Sequence, residues 1–126
     1  MPSSDRSSGS HKANVEKGRQ FEALAARYFA DRGFEILERN WQAGHKEIDL
    51  IVKKNSLLVF VEVKSASTAS HGHPAERVDR TKIANLTKAA QQYLIVKNIE
   101  NCDLRFDVVT FLGGQLEHFP AAFQAE

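Results

Sequence analysis

The side chains best placed to do chemistry are four charges spread over one run, EIDLIVKKNSLLVFVEVK, from Glu47 to Lys64. Glu47 and Asp49 open one apolar segment, and Glu62 and Lys64 close a second. The polar KKNS between them supplies turn residues, so the run reads as a β-hairpin charged at its open end. Taking the loop as Lys53–Ser56, or only its central pair, sets Val52 opposite Leu57, Asp49 opposite Phe60 and Glu47 opposite Glu62. Opposed residues, and residues two apart on a strand, project to the same face. Glu47, Asp49, Glu62 and Lys64 are therefore expected together on one face. Ile48, Leu50, Val52, Leu57, Val59, Val61 and Val63 form an apolar wall on the other.

Such a cluster has an electrostatic requirement. Carboxylates that face each other repel, and partial burial makes each one costly to keep ionised. Lys64 offers one positive charge against three negative ones. A divalent cation would supply the remainder, and hard oxygen ligands suit Mg²⁺ or Mn²⁺. Glu22, at the edge of an upstream apolar stripe, is placed to reach over the sheet edge to the same point. Other chemically capable residues lack partners. His71 and His73 sit in a polar loop with no Cys or third His nearby to complete a zinc site. Glu117 and His118 read as strand-edge surface residues, and Gly113-Gly114 as a hairpin turn.

The elements that must position these residues follow from periodicity. Phe21, Leu24, Ala25 and Tyr28 recur at helical spacing between about Asn14 and Arg32, with Asn14 as a cap and Gly33 as a left-handed stop. A short strand, FEILERN, follows, and then the hairpin. After the loop SASTASHGHPAE, Asp79 can cap a second helix reaching about Lys97, with Ile83, Leu86, Ala90, Tyr93 and Leu94 in one stripe. LRFDVVTF and a strand near QLEHF complete the order α-β-β-β-α-β-β. The second helix is long enough for a crossover to a parallel neighbour, so the sheet is mixed and its faces are covered by helices. The fold class is α/β.

Composition sets the outer limits. A chain of 126 residues suits one domain, read as residues 14–126 behind a polar, Ser-rich lead-in or tag remnant over 1–13. Its hydrophobic share of 42% and charged share of 26% are those of ordinary globular proteins. No run is apolar enough to span a membrane, and the lone Cys102 excludes an internal disulfide, which points to the cytoplasm. The net charge of +1 is not that of a strongly basic nucleic-acid binder. Locally, however, Arg77, Arg80, Lys82, Lys88 and Lys97 outnumber Glu76 and Asp79.

An acid on one strand and Glu-x-Lys on the next, after a helix bearing a Glu, resembles the PD-(D/E)xK nuclease pattern. Over nearly its whole length from Lys17 the chain also resembles the UPF0102 (YraN) family. The matching blocks are GRQFEALA (18–25), RGFEILERN (32–40), EIDLI (47–51), FVEVK (60–64), Pro74-Ala75-Glu76, Lys82 with its helix, RFDVV (105–109) and HFPAAF (118–123). The resemblance implies a restriction-endonuclease-like fold of about five strands, similar also to Holliday-junction resolvases. On that pattern Glu22, Asp49, Glu62 and Lys64 are the catalytic set. Asp49 and Glu62 would hold Mg²⁺ or Mn²⁺, helped by the Val63 carbonyl and by Glu47, while Lys64 would orient water or neutralise developing charge. Lys82, Arg77 and Arg80 would contact the phosphates of DNA, branched DNA included. The resolvase likeness also brings in a homodimer, although no surface in the sequence marks its interface. Lys46 stands where the family usually has Gly, and Ser65-Ala66 where it usually has Thr-Arg. A weak net charge and the absent Arg leave a second reading, a non-catalytic nucleic-acid- or protein-binding module on the same scaffold.

Overall fold

The computed structural model describes residues 18–68 and 79–124. The lead-in over 1–13 and the loop residues His71, His73 and Arg77 lie outside them. Glu22, Ala25, Ala26 and Phe29 recur at intervals of three and four, and they form the inward side of helix α1, residues 18–31. Leu24, expected in that stripe, is instead 51% exposed. A stripe centred on Ala25 and Phe29 leaves it on the outer flank. The helix stops as its Gly suggests. Gly33 takes φ +89°, its amide donates to Ala30 O (3.0 Å), and the Phe34 amide donates to Phe29 O (3.0 Å). Phe34 then folds its ring edge-on against Phe29, closing the hydrophobic contact such a stop favours.

Strands β1 (Glu35–Ala43), β2 (Lys46–Lys54) and β3 (Leu57–Ala66) follow, then helix α2 (Arg80–Val96) and strands β4 (Asp103–Leu112) and β5 (Gln115–Phe123). They give one five-stranded sheet in sequential order, with β3 and β4 parallel and all other neighbours antiparallel. The expected α-β-β-β-α-β-β arrangement is therefore the one found. Asp79 caps α2 by accepting the Lys82 amide at 2.9 Å. No described helix is long and apolar enough to cross a membrane.

Each helix covers one side of the sheet. Ala25, Ala26 and Phe29 of α1 pack on Leu50, Val52, Val59, Val61, Val109 and Phe111. Leu86, Ala89, Ala90 and Tyr93 of α2 pack on Ile51, Leu58, Phe60 and Phe106, and Ile48 joins them. The period-2 pleat explains why Leu50 and Val52 go one way and Ile51 the other. It does not explain Ile48, which was expected on the wall with Leu50. The alternation breaks at Asp49, between them.

The hairpin register is offset by two residues from the sequence expectation. Lys54 pairs with Leu57 and Val52 with Val59, so the loop is Asn55-Ser56, with Asn55 at φ 54°. The offset preserves parity, and Leu57, Val59, Val61 and Val63 still turn toward α1. The first strand is longer than FEILERN and carries Trp41 and Gln42.

A second polar network fastens α1 to the far edge of the sheet. Asp107, fully buried at 0% exposure, accepts from Arg105 Nε and Nη2 (2.8 Å each) and from the Ala121 amide (3.0 Å), and shares a hydrogen bond with His118 Nε2 (2.7 Å). The other ring nitrogen of His118 bonds the Tyr28 hydroxyl at 3.0 Å. His118, expected at the surface, is thus a linking residue, because a bulge between Phe106 and Val108 brings β5 over Asp107. Asp107→Ala leaves Arg105 and His118 without their acceptor. We expect it to lower the unfolding free energy by about 2–4 kcal/mol in a urea titration.

Candidate metal centre

Two elements bring three carboxylates to one point. Glu22 comes from the second turn of α1, and Glu47 and Asp49 come from the first half of β2; one ligand oxygen from each lies within 4.8 Å of the others. They line a cavity of about 460 Å³, together with Arg19, Phe21, Asn40, Gln42, Val63 and Ser65. Glu22 is only 9% exposed, whereas Glu47 faces solvent.

The local backbone explains the convergence. The paired positions of β2 and β3 run out at Leu50 and Val61, and the next free amide, Val63 N–H, donates to Asp49 Oδ2 at 2.8 Å. A side-chain carboxylate thus takes a donor that a strand carbonyl would otherwise hold, and Asp49 is fixed at the mouth of the opened hairpin. On β1, Asn40 lies between the paired positions Arg39↔Leu50 and Trp41↔Ile48, which places it beside Asp49. It adopts φ 53°, a left-handed conformation that Asn tolerates better than most residues. With its amide nitrogen turned toward the acids, an orientation assigned from these neighbours, Asn40 donates to Glu47 Oε1 at 2.9 Å and to both oxygens of Glu22.

Even so, the cluster is short of positive charge. Burial pushes the Asp49 carboxyl up to about 8, the charge of Glu62 adds to that, the Val63 hydrogen bond opposes it, and Glu22 and Glu47 raise it further. Glu22 is also raised, by burial first and then by Glu47, against the Asn40 bond and the charges of Arg39 and Arg19. These are acids held close together at the expense of their ionised forms.

Of the residues anticipated from sequence, Glu22, Glu47 and Asp49 come together, and Val63 joins them through its amide. Glu62 and Lys64 do not line that cavity. Glu62 is 4% exposed, and its Oε1 is paired with Lys64 Nζ at 3.3 Å and with Lys82 Nζ of α2 at 3.2 Å. The expected single face for all four charges therefore splits. Val61 and Val63 turn toward α1, so Glu62 between them turns toward α2, and the broken alternation at Asp49 turns that residue the other way. Glu62 Oε2 nonetheless stays buried with no hydrogen-bond partner among the described residues. Lys82 is committed to Glu62, and Arg80 is exposed at the start of α2. Asn40, Arg19 and Gln42 are site residues that the sequence did not single out. Only Asn40 had a signal, as an Asn closing a strand-like block.

Fold and site together define an α/β protein with an acidic cluster where a central hairpin opens. The sequence model of the uncharacterised protein family UPF0102 matches residues 21–111, and the chain belongs to that family. A UPF0102 protein of Chlorobium phaeobacteroides is 38% identical over 119 residues, covering 86% of this chain and 94% of its own. One from Sulfurihydrogenibium is 37% identical over 112 residues, covering 89% and 97%. One from Chlorobium chlorochromatii is 48% identical over 97 residues, covering 77% and 74%.

The raised Asp49 sets a pH dependence. Between the ordinary aspartate range near pH 4 and its folded value of about 8, the folded chain holds a proton that the unfolded chain has released. Stability in metal-free buffer therefore falls as pH rises through that window and levels off above it. Asp49→Asn should flatten the fall, as read from thermal unfolding midpoints between about pH 5 and 9 in chelator.

Proposed function

We propose that this chain is a divalent-metal-dependent phosphodiester hydrolase of the endonuclease type, acting on DNA. One observation carries the reading: three carboxylates converge within 4.8 Å of one another in an open cavity, and the charge of nearby Glu62, whose Oε2 is buried with no hydrogen-bond partner among the described residues, raises the central one further. Every ligand in the set is a carboxylate oxygen, with no thiolate or imidazole, a donor set that fits Mg²⁺ or Mn²⁺ better than zinc. A cation there also answers the strain that raises Asp49 and Glu22. The resemblance to Glu-x-Lys nucleases supports the same assignment.

Glu22, Glu47 and Asp49 would hold the ion. When bound, the ion would supply Lewis acidity toward a phosphoryl oxygen and a nucleophilic water. The chain's own residues have separate tasks. Val63 N–H and Asn40 fix the directions in which Asp49, Glu22 and Glu47 present their oxygens. Glu62 holds the ammonium groups of Lys64 and Lys82 side by side. Those two charges would neutralise negative charge growing on the phosphate oxygens as the P–O bond breaks. Anchored in advance, they need little reorganisation when it does.

Calorimetric titration with Mn²⁺ tests the ligand set. Saturable binding is expected, weakened about 10-fold or more by Asp49→Asn or Glu47→Gln and largely kept in Lys64→Ala. In cleavage assays with Mg²⁺ or Mn²⁺ on branched, single-stranded and duplex DNA, Lys64→Ala should lower the rate by about 10²–10³-fold. Absence of cleavage on every substrate, with nucleic-acid binding indifferent to Lys64→Ala, would replace this reading with the non-catalytic module.

A further inference from the structure

A second cavity, of about 630 Å³, lies on the other side of the β1–β2 hairpin tip and is lined by Trp41, Ala43, Gly44 and Lys46 from the hairpin and by Lys88 and Gln92 from α2. Gln42 lines both this cavity and the acidic one. Adjacent strand residues point to opposite faces, so Glu47 enters the acidic cavity while Lys46 enters the second. Lys46 therefore adds its charge to this neighbouring cavity. Neither Lys46 nor Lys88 has a carboxylate partner among the described residues, whereas Lys64, Lys82 and Lys97 each have one.

Trp41 gives the cavity a partly exposed aromatic wall. Its ring meets the Tyr93 ring edge-on at 5.1 Å, and Tyr93 in turn donates to Glu38 Oε2 at 3.3 Å. The indole is thus braced by α2 and loses little freedom on stacking. A braced indole with two ammonium groups that have no carboxylate partner among the described residues, and an amide side chain, Gln92, matches a nucleotide: a flat base, and phosphates on either side of it. The neighbouring acids repel a polyanion, so phosphates gain by lying on the lysine side of the hairpin tip.

We infer that this cavity binds an unpaired nucleotide of the DNA strand flanking the phosphate to be cut, with its base against Trp41 and its phosphates between Lys46 and Lys88. The inference rests on the proposed hydrolase reading and narrows its substrate to DNA with a single-stranded segment. Geometry favours the single strand. Because β1 is an edge strand, no further strand among the described residues blocks a path over Gln42 from one cavity to the other. Following it requires a sharp bend, which a flexible single strand makes easily and a stiff duplex does not.

Trp41 is the sole tryptophan, so its emission reports on the cavity directly. The probe is an oligothymidylate of about ten nucleotides, a length within the usual range for single-strand sites, added in chelator so that nothing is cut. Saturable quenching is expected, with much weaker quenching by a blunt duplex of equal length. Labelled-oligonucleotide anisotropy should show severalfold weaker binding for Lys88→Ala and Lys46→Ala, and a salt slope reduced by about 0.7 for each phosphate that is no longer neutralised. Trp41→Ala should weaken binding by about 5- to 100-fold; should that variant misfold, the exposed Lys88 still decides. Unchanged emission on binding, equal quenching by the duplex, or lysine variants that bind like the parent overturn the inference. If quenching and lysine dependence hold but no DNA is cut, the hydrolase reading falls and the nucleotide site stands. If DNA is cut but Lys88→Ala leaves the preference for single-stranded segments unchanged, the site falls and the hydrolase stands.

Discussion

The 2.8 Å hydrogen bond from the Val63 amide to Asp49 Oδ2 is the interaction on which the acidic cavity depends. A central hairpin normally satisfies its amides with carbonyls along its whole length, and a gap in that ladder leaves a buried donor in need of a partner. Here the partner is a carboxylate. The exchange sets Asp49 at the hairpin mouth and coincides with the break that separates Ile48 from Leu50. It also lets Glu22 from one side and Glu47 from the same strand come close. Without this bond the cluster would lose its best-fixed member, and the opened amide would face the core unpaired.

What surrounds the cluster is arranged to tolerate it. The sheet is apolar on both sides of the hairpin, with the α1 and α2 cores meeting across β2 and β3. That low-polarity setting is why proximity matters so much, since charges interact more strongly where water is scarce. Arg19 and Arg39 act on Glu22 from nearby, whereas Lys64 and Lys82 are held away from the cluster through Glu62. Acids on one side of β3 and lysines gathered on the other give a separated dipolar site. Such separation keeps the lysines from occupying the acids themselves, which would neutralise the cluster before any ligand arrived.

Much of this was legible in the residues. Apolar alternation marked the hairpin and most of its two faces, Gly33 and Asp79 marked helix ends, and the acids of EIDLI lie where the carboxylates gather. The two-residue register offset arose because Lys53 and Lys54 look like loop residues, while their backbones remain in the ladder and their charged ends reach solvent or, for Lys54, the Arg32 carbonyl at 2.9 Å. The split of Glu62 from Asp49 was not legible, because one irregular residue reverses facing and alternation carries no mark of it. Asn40 showed only as an Asn closing a strand-like block; its role requires a positive φ and partners on two other elements. His118 looked exposed because its partner Asp107 is eleven positions away on a neighbouring strand, at a bulge.

The Tyr28–His118–Asp107 chain has a mechanical meaning for the acidic cavity. Tyr28 lies on the same helix as Glu22, so the far-edge strand helps anchor the helix that carries a carboxylate it never approaches. Both side chains therefore take their position from the same helix, one held at the far edge and the other at the cavity. The seat of one carboxylate thus shares its support with the opposite margin of the sheet.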